Sequence, residues 1–262
     1  MRFAIAYGKQ DPAGNNIVQQ LKKISFTPQI PIIQLKKHPI YSENINKLPE
    51  LRNIDFLIFA STHRSEKNQP SLSVHAPGNW RGAKLGGKPG KTCNTSSQVL
   101  KYLFQQLNKN AQELEDYQIT LECTHHGPLI DLPCCFIEIG STEKQWKDEQ
   151  AGKIIAKTIL SLQNFKPNKN LISTIGIGGP HYCQGFNKIQ LNSNYAISHI
   201  IPQYSLPLTE NMLKQAEQKT TEQVKTILLD WKGCGKSERR QEVVKIIEKL
   251  GLNYERTKGI EK

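Results

Sequence analysis

The chain has 262 residues, with 35 Lys and Arg against 23 Asp and Glu, a formal charge of +12 and a sequence pI near 9.4. That length supports one sizeable core, and the lack of a Ser/Gly/Pro-rich linker or internal repeat predicts a single domain over residues 1–262. No apolar run could span a bilayer and the opening Met1 to Gly8 run is too short for a signal peptide, so a soluble, cytoplasmic protein is expected.

The positive excess favours a polyanionic partner, because Lys and Arg displace condensed counterions from phosphates. A generic basic protein would share that charge, so the residues must carry the argument. Cysteines stand at 93, 123, 134, 135, 183 and 234 without a C-x-x-C pair, which predicts reduced thiols rather than a disulfide framework.

In chain order, residues 3–7 read as a buried strand, followed by a loop to Asn16, a helix over about 17–23 and a strand over 30–35. The run 54–60, Ile-Asp-Phe-Leu-Ile-Phe-Ala, has the length and apolarity of a strand covered on both faces, and it feeds Ser61-Thr62-His63-Arg64-Ser65. A short strand at 71–75 ends on His75. The Gly86-Gly87-Lys88-Pro89-Gly90-Lys91 loop suits flexible contact with a nucleic-acid backbone, and a helix covers 97–110.

Residues 117–121 alternate apolar and polar, a half-buried strand that delivers Glu122-Cys123-Thr124-His125-His126 to its end before Gly127-Pro128 stops it. Cys134 to Ile139 is a second continuous apolar strand, interrupted by Glu138. Thr142-Glu143-Lys144-Gln145 has capping-box form, and Ala151, Ile154, Ile155, Thr158, Ile159 and Leu162 follow at helical spacing. Further strands are expected at 171–177, 195–201 and 224–229, with helices at 209–222 and after a Ser237 cap. Strands alternating with helices predict an α/β fold built on a largely parallel mixed sheet with helices on both faces.

In such a sheet ligands gather at the carboxyl ends of the strands, and His63, His125, His126 and His181 each follow the end of an expected strand. His75 is a possible fifth member; His38 and His199 read as structural. Glu138 within an apolar strand is costly to bury unless paired or protonated. Cys123 is a candidate nucleophile or ligand, against the commoner fate of a buried inert thiol. Two motif-like strings fail: Gly233-Cys234-Gly235-Lys236-Ser237 lacks the first glycine of a P-loop, and Gly176 to His181 breaks where a dinucleotide fingerprint needs its last glycine.

Taken together, Ser61 to Ser65, Ser73 to Asn79, Cys123 to Pro128, Glu138 to Glu143, Gly176 to His181 and Asp230-Trp231-Lys232-Gly233 resemble the archaeal and plant type of D-aminoacyl-tRNA deacylase, in that family's order. The resemblance implies hydrolysis of the ester joining a D-amino acid to the 3′ end of tRNA, including aldehyde-modified D-aminoacyl groups. It also implies zinc, a monomer, and a three-layer sandwich similar to peptidyl-tRNA hydrolase and the nucleoside phosphorylases. Cys134-Cys135 and the Lys67-Asn68-Gln69 segment depart from the pattern.

On that footing His125, His126 and His181 are the expected zinc ligands, and His125, His126, Glu138, His181 and His63 the catalytic set. Glu138 orients an imidazole or acts as base, and backbone N–H groups of the 176–179 turn receive the oxyanion. Lys88, Lys91, Lys232 and Lys236 are the expected phosphate contacts. The competing readings are a peptidyl-tRNA hydrolase or nucleoside-processing enzyme on the same fold, and a non-catalytic tRNA-binding module.

Overall fold

The computed structural model describes residues 1–24, 30–66 and 68–260; Lys67 of the departing segment lies outside them. The elements run β1 (Phe3–Gly8), α1 (Pro12–Ile24), β2 (Ile32–Leu35), β3 (Phe56–Arg64), β4 (Ser71–His75), α2 (Ser97–Asn110), β5 (Gln118–Leu121) and β6 (Cys134–Ser141). There follow α3 (Glu143–Trp146), α4 (Glu149–Leu160), β7 (Ile172–Ile177), α5 (Gln184–Asn192), β8 (Tyr195–Ile201), α6 (Glu210–Gln218), β9 (Thr226–Leu229), α7 (Ser237–Lys249), β10 (Asn253–Arg256) and α8 (Thr257–Ile260).

The α/β class and the largely parallel pairing hold, but the strands divide into two sheets where the alternation suggests one. The first has six strands in the order β2-β1-β3-β6-β4-β5, and the second four in the order β10-β9-β7-β8. In the first sheet β4 runs antiparallel to β6, and β5 follows β4 in parallel. The second is parallel throughout.

Alternation along β3 and β6 sorts the core into two faces, as a period of two demands. Phe56, Ile58, Ala60, Cys135, Ile137 and Ile139 pack under α1, α2 and α4, while Leu57, Phe59, Cys134 and Phe136 face the other way. Helix α2 joins the two sheets: Val99, Leu100, Leu103 and Leu107 belong to the first core, and Phe104 packs with Phe186, Ile197 and Ile200 of the second.

Local chemistry sets several boundaries. Asp11 accepts from Gly14 N at 2.9 Å and Pro12 opens α1, so the helix begins before the expected residue 17. The Thr142/Gln145 capping box forms but caps only α3; α4 starts afresh from Asp148, whose carboxylate accepts from Gln150 N at 2.8 Å. Lys236, not Ser237, holds the N-cap position of α7, without a side-chain cap bond. Gly251, at φ +70°, supplies the left-handed residue beyond that helix. Strand β10 and helix α5 had no distinct signal; the strand is mostly exposed, with Asn, Glu and Arg in place of an apolar face.

Candidate active site

The face of the first sheet bearing Cys134 and Phe136 becomes polar toward the ends of the neighbouring strands. Glu138 is the next residue on that face of β6, and its register partner is Ser61 of β3. Two residues on, His63 again shares the face, beside Gly140. It lies inside β3, at 6% exposure, rather than after the strand's end. The strand runs on through Ser61-Thr62-His63-Arg64 because β6 pairs with it residue for residue.

From the other side β4 aligns Ser73 with Glu138 and His75 with Phe136. Because β4 and β5 oppose β6, the histidines do not line one carboxyl edge of a parallel sheet. They close over Glu138 from both directions.

Beyond β5, residues 122–124 join the two sheets. Cys123 N donates to His181 O at 3.0 Å, Cys183 N to Leu121 O at 3.0 Å and Thr124 N to Ile200 O at 3.0 Å, and Glu122 and Tyr182 form an antiparallel bridge. This pairing carries His181 from the second sheet onto the first sheet's histidines. His126 then adopts φ +47°, a left-handed conformation costing a non-glycine residue on the order of 1–3 kcal/mol, which the surrounding packing sustains. Gly127 follows, where a Cβ would stand 2.3 Å from Gly87 N and 2.5 Å from Ile40 O.

Glu122 is the hub of the cluster. Its side chain is fully buried, with Oε2 at 3.0 Å from His181 Nε2 and 3.4 Å from His125 Nε2, and Oε1 at 3.2 Å from His63 Nδ1. The last contact lacks hydrogen-bond alignment, so Oε1 is a buried acceptor without a hydrogen bond. Glu138 Oε2 lies 3.3 Å from His75 Nε2 and 3.7 Å from His63 Nδ1. His63 Nε2 meets the Tyr182 hydroxyl at 2.9 Å.

The electrostatics divide the imidazoles into two groups. Burial pulls His63 down, but the Glu122 and Glu138 charges outweigh it and raise its pKa. His181 is pulled down by burial in the same way, yet its hydrogen bonds to Cys123 and Glu122 carry it up to about 11. Both therefore favour the imidazolium. His125 and His126 are driven the other way, by burial and then by neighbouring imidazoles, His126 to about 4, so both stay neutral. Burial opposes ionisation of Glu138, but the His63 and His75 contacts win and hold it at about 2. Glu122 is likewise held well below the carboxylate range by His63 and His181 against its burial.

Backbone carbonyls fix the remaining protons. His75 Nδ1 faces Ala76 O at 3.2 Å, His125 Nδ1 faces Cys123 O at 2.8 Å and His126 Nδ1 faces Gly127 O at 2.7 Å. A carbonyl only accepts, so each of these Nδ1 atoms carries the hydrogen, and the neutral His125 and His126 rings each present an Nε2 lone pair. Those lone pairs converge, and His125 Nε2 faces carboxylate oxygen as well. Lone pairs so placed call for a shared proton or a cation, and a carbonyl behind each imidazole is the support metal-binding histidines use.

Among the described residues the groups able to hold a metal are His75–His125–His126, His63–Glu122–His125–His181 and His75–Glu122–Glu138, with ligand atoms within 4.8 Å. The expected trio of His125, His126 and His181 does not form one such group. His126 joins His75, and His181 joins His63 and Glu122. Phe136 floors the cluster, with its ring stacked on His75 at 5.3 Å between centroids.

Other expected residues fall elsewhere. His199 is buried against Thr124 Oγ1 at 3.1 Å and Trp80, and His38 pairs with Asp11 at 3.2 Å, so both lie outside the cluster. Cys123 is buried, with Sγ 3.0 Å from Tyr204 Oη and 3.7 Å from His181 Nδ1. The 176–179 turn does not present free N–H groups. Gly176 and Ile177 lie within the central strand β7, Gly178 N donates to Ile201 O at 2.8 Å, and Gly179 N is covered by Gly233.

The 86–91 loop is pinned rather than flexible. Gly87 N donates to Glu43 at 2.8 Å, Gly90 N to Arg81 O at 2.8 Å, and Gln215 Nε2 to Gly90 O at 2.8 Å. Lys88 and Lys91 project from it, exposed, beside the Gly127 turn. Lys232 and Lys236 are exposed around the Gly233 turn, which abuts Gly179. Glu122, His75 and Tyr182 are cluster members that the catalytic set omits. Glu122 had a signal in its place before the histidine pair, and His75 in its strand-end position, whereas Tyr182 became visible only through the bridge to Glu122.

The family model described as D-aminoacyl-tRNA deacylase matches residues 50–255. The D-aminoacyl-tRNA deacylase of Thermococcus kodakarensis is 36% identical, with 85% of this chain and 82% of that protein covered. The Pyrococcus furiosus protein of the same name is 35% identical over 92% of this chain and 88% of its own, and the Methanocaldococcus jannaschii one 30% identical over 98% and 100%. A crystal structure of a conserved protein of unknown function superposes with a TM-score of 0.91 at 27% identity, covering 99% of this chain and 96% of that one.

Proposed function

Since the chain belongs to the D-aminoacyl-tRNA deacylase family, an ester hydrolase releasing D-amino acid and tRNA, we propose that the Glu122–Glu138 histidine cluster is its catalytic centre. The observation that carries this reading is the convergence of five imidazoles on two buried carboxylates where the sheets meet. Holding such charge away from water is expensive, so the arrangement is one that catalysis, rather than stability, accounts for.

His75, His125 and His126 would hold a zinc ion through Nε2, which suits the neutral state of His125 and His126 and the carbonyl-bound Nδ1–H groups of all three. When bound, the metal would lower the pKa of water from ~16 toward ~7, making hydroxide available in the cell. Glu138, whose Oε2 lies 3.3 Å from His75 Nε2, is placed to take a proton from water. His63 and His181, kept cationic by Glu122, supply positive charge where the ester carbonyl becomes negative. Among the described residues no helix is long and apolar enough to cross a membrane. The protein acts in the cytoplasm as a single-domain monomer, and its substrates include aldehyde-modified D-aminoacyl-tRNA.

The exposed Lys88, Lys91, Lys232 and Lys236 flank the two turns that abut the site and would take tRNA phosphates. A substrate panel tests the reading. D-aminoacyl-tRNA should be hydrolysed, with L-aminoacyl-tRNA and N-blocked L-peptidyl-tRNA turned over far more slowly. Apparent affinity for tRNA should fall as salt rises, and each Lys→Ala change should reduce that log–log slope by roughly 0.7–1. Preference for the N-blocked ester would favour a peptidyl-tRNA hydrolase instead, and salt-independent binding would remove the lysine assignment.

A further inference from the structure

Glu122 and Tyr182 lie against opposite nitrogens of His63: Glu122 Oε1 is 3.2 Å from His63 Nδ1, and His63 Nε2 is hydrogen-bonded to Tyr182 Oη at 2.9 Å. A buried carboxylate beside one imidazole nitrogen and a hydroxyl hydrogen-bonded to the other resemble the sequence of groups by which hydrolases move a proton. Here the hydroxyl is a phenol. Tyr182 is half-buried, and its side chain lines a cleft of about 500 Å³ together with Ser65, Glu66, Pro180, His181 and Gln184. The hydrogen-bonded pair of His63 and Tyr182 therefore runs from beside the buried carboxylates to the wall of the open space next to the cluster.

We propose that Tyr182 is the general acid that protonates the departing ribose oxygen, with His63 as the group that resupplies its proton. The inference rests on the deacylase reading of the cluster. Ester hydrolysis releases an alkoxide, which is more basic than a phenolate (ordinary phenol pKa ~10), so a phenolic proton is a competent donor to it. Burial holds the Tyr182 phenol protonated in the resting protein.

The step balances. Water oxygen bonds to the ester carbonyl carbon, and one water proton passes to Glu138. The tetrahedral carbon then collapses, its bond to the ribose oxygen breaks, and that oxygen keeps the electron pair and takes the Tyr182 proton. The phenolate recovers a proton from His63 Nε2, leaving a neutral ring that keeps its Nδ1–H; Glu138 then releases its proton to solvent and His63 Nε2 takes one back from solvent. Water has then given hydroxyl to the acyl group and hydrogen to the ribose.

His63 suits this exchange because its two states differ only in the direction of one hydrogen bond. As an imidazolium it donates Nε2–H to the phenol oxygen and turns the phenol hydrogen away from the ring, on a hydroxyl that also lies 3.5 Å from Ser71 Oγ; as a neutral ring it accepts from the phenol.

Tyr182→Phe keeps the ring and removes the donor. On D-aminoacyl-tRNA, kcat should fall by about 10²-fold or more with KM and melting temperature unchanged. The p-nitrophenyl ester of the same D-amino acid, whose leaving group needs no proton, should be hydrolysed at the wild-type rate. A kcat within about threefold of wild type on the tRNA ester would overturn the assignment, since removal of a general acid costs 10²–10⁴. An equal loss on both esters would also overturn it, showing that Tyr182 acts before the leaving group departs. Wild-type protein inactive on D-aminoacyl-tRNA would instead remove the deacylase reading beneath it.

Discussion

Glu122→Gln should lower kcat on D-aminoacyl-tRNA by about 10³-fold and destabilise the protein by about 3 kcal/mol. The substitution preserves shape and removes only the charge. That charge helps raise the pKa of His63 and His181 against their burial, and it also faces His125. Without it, both imidazoles lose a charge that favours their protonated form, and His63 becomes a poorer source of the proton for Tyr182. Rates on D-aminoacyl-tRNA, read beside the denaturant midpoint of each protein, separate the two effects. A rate within tenfold of wild type would show that Glu122 is a structural bridge between the sheets and nothing more.

The second large effect concerns the metal. Purified protein should carry about one zinc ion per chain, and chelation should reduce deacylation by at least about 10²-fold, with activity restored by added zinc. His75→Ala and His126→Ala should each leave the protein folded and largely free of metal, because each removes an Nε2 donor and its carbonyl-fixed ring. Full activity after complete chelation would dismiss the metal and leave the imidazole–carboxylate network to act alone.

Much of the fold was legible because apolar runs declare buried strands. The 54–60 and 134–139 runs reported β3 and β6, and the 97–110 helix matches α2 at both ends. The pairing of those strands was not legible. A strand that is buried on both faces carries no mark of its neighbour's direction, so the reversal of β4 and β5 against β6 and the separation of a second sheet stayed hidden. The mostly exposed residues of β10 lack any face to read.

The site was legible in part, for a related reason. Glu138 stood out because a carboxylate inside an apolar strand demands a partner, and the histidines stood out by type and by strand-end position. Ligand grouping was beyond the sequence, since it depends on which ring nitrogen meets a backbone carbonyl. His126 reaches His75 rather than His181 through a left-handed backbone at a position where no glycine announces it. Tyr182 belongs to the centre through a bridge between two sheets, a contact that spacing along one chain cannot encode.

The central claim is that the cluster closing over Glu122 and Glu138 performs the hydrolysis. Its most direct test is the rate at which folded His125→Ala and His126→Ala proteins release D-amino acid from D-aminoacyl-tRNA. The account predicts a loss of at least about 10²-fold in both, with the tRNA dependence of the residual rate unchanged. Near-normal rates in both would contradict it.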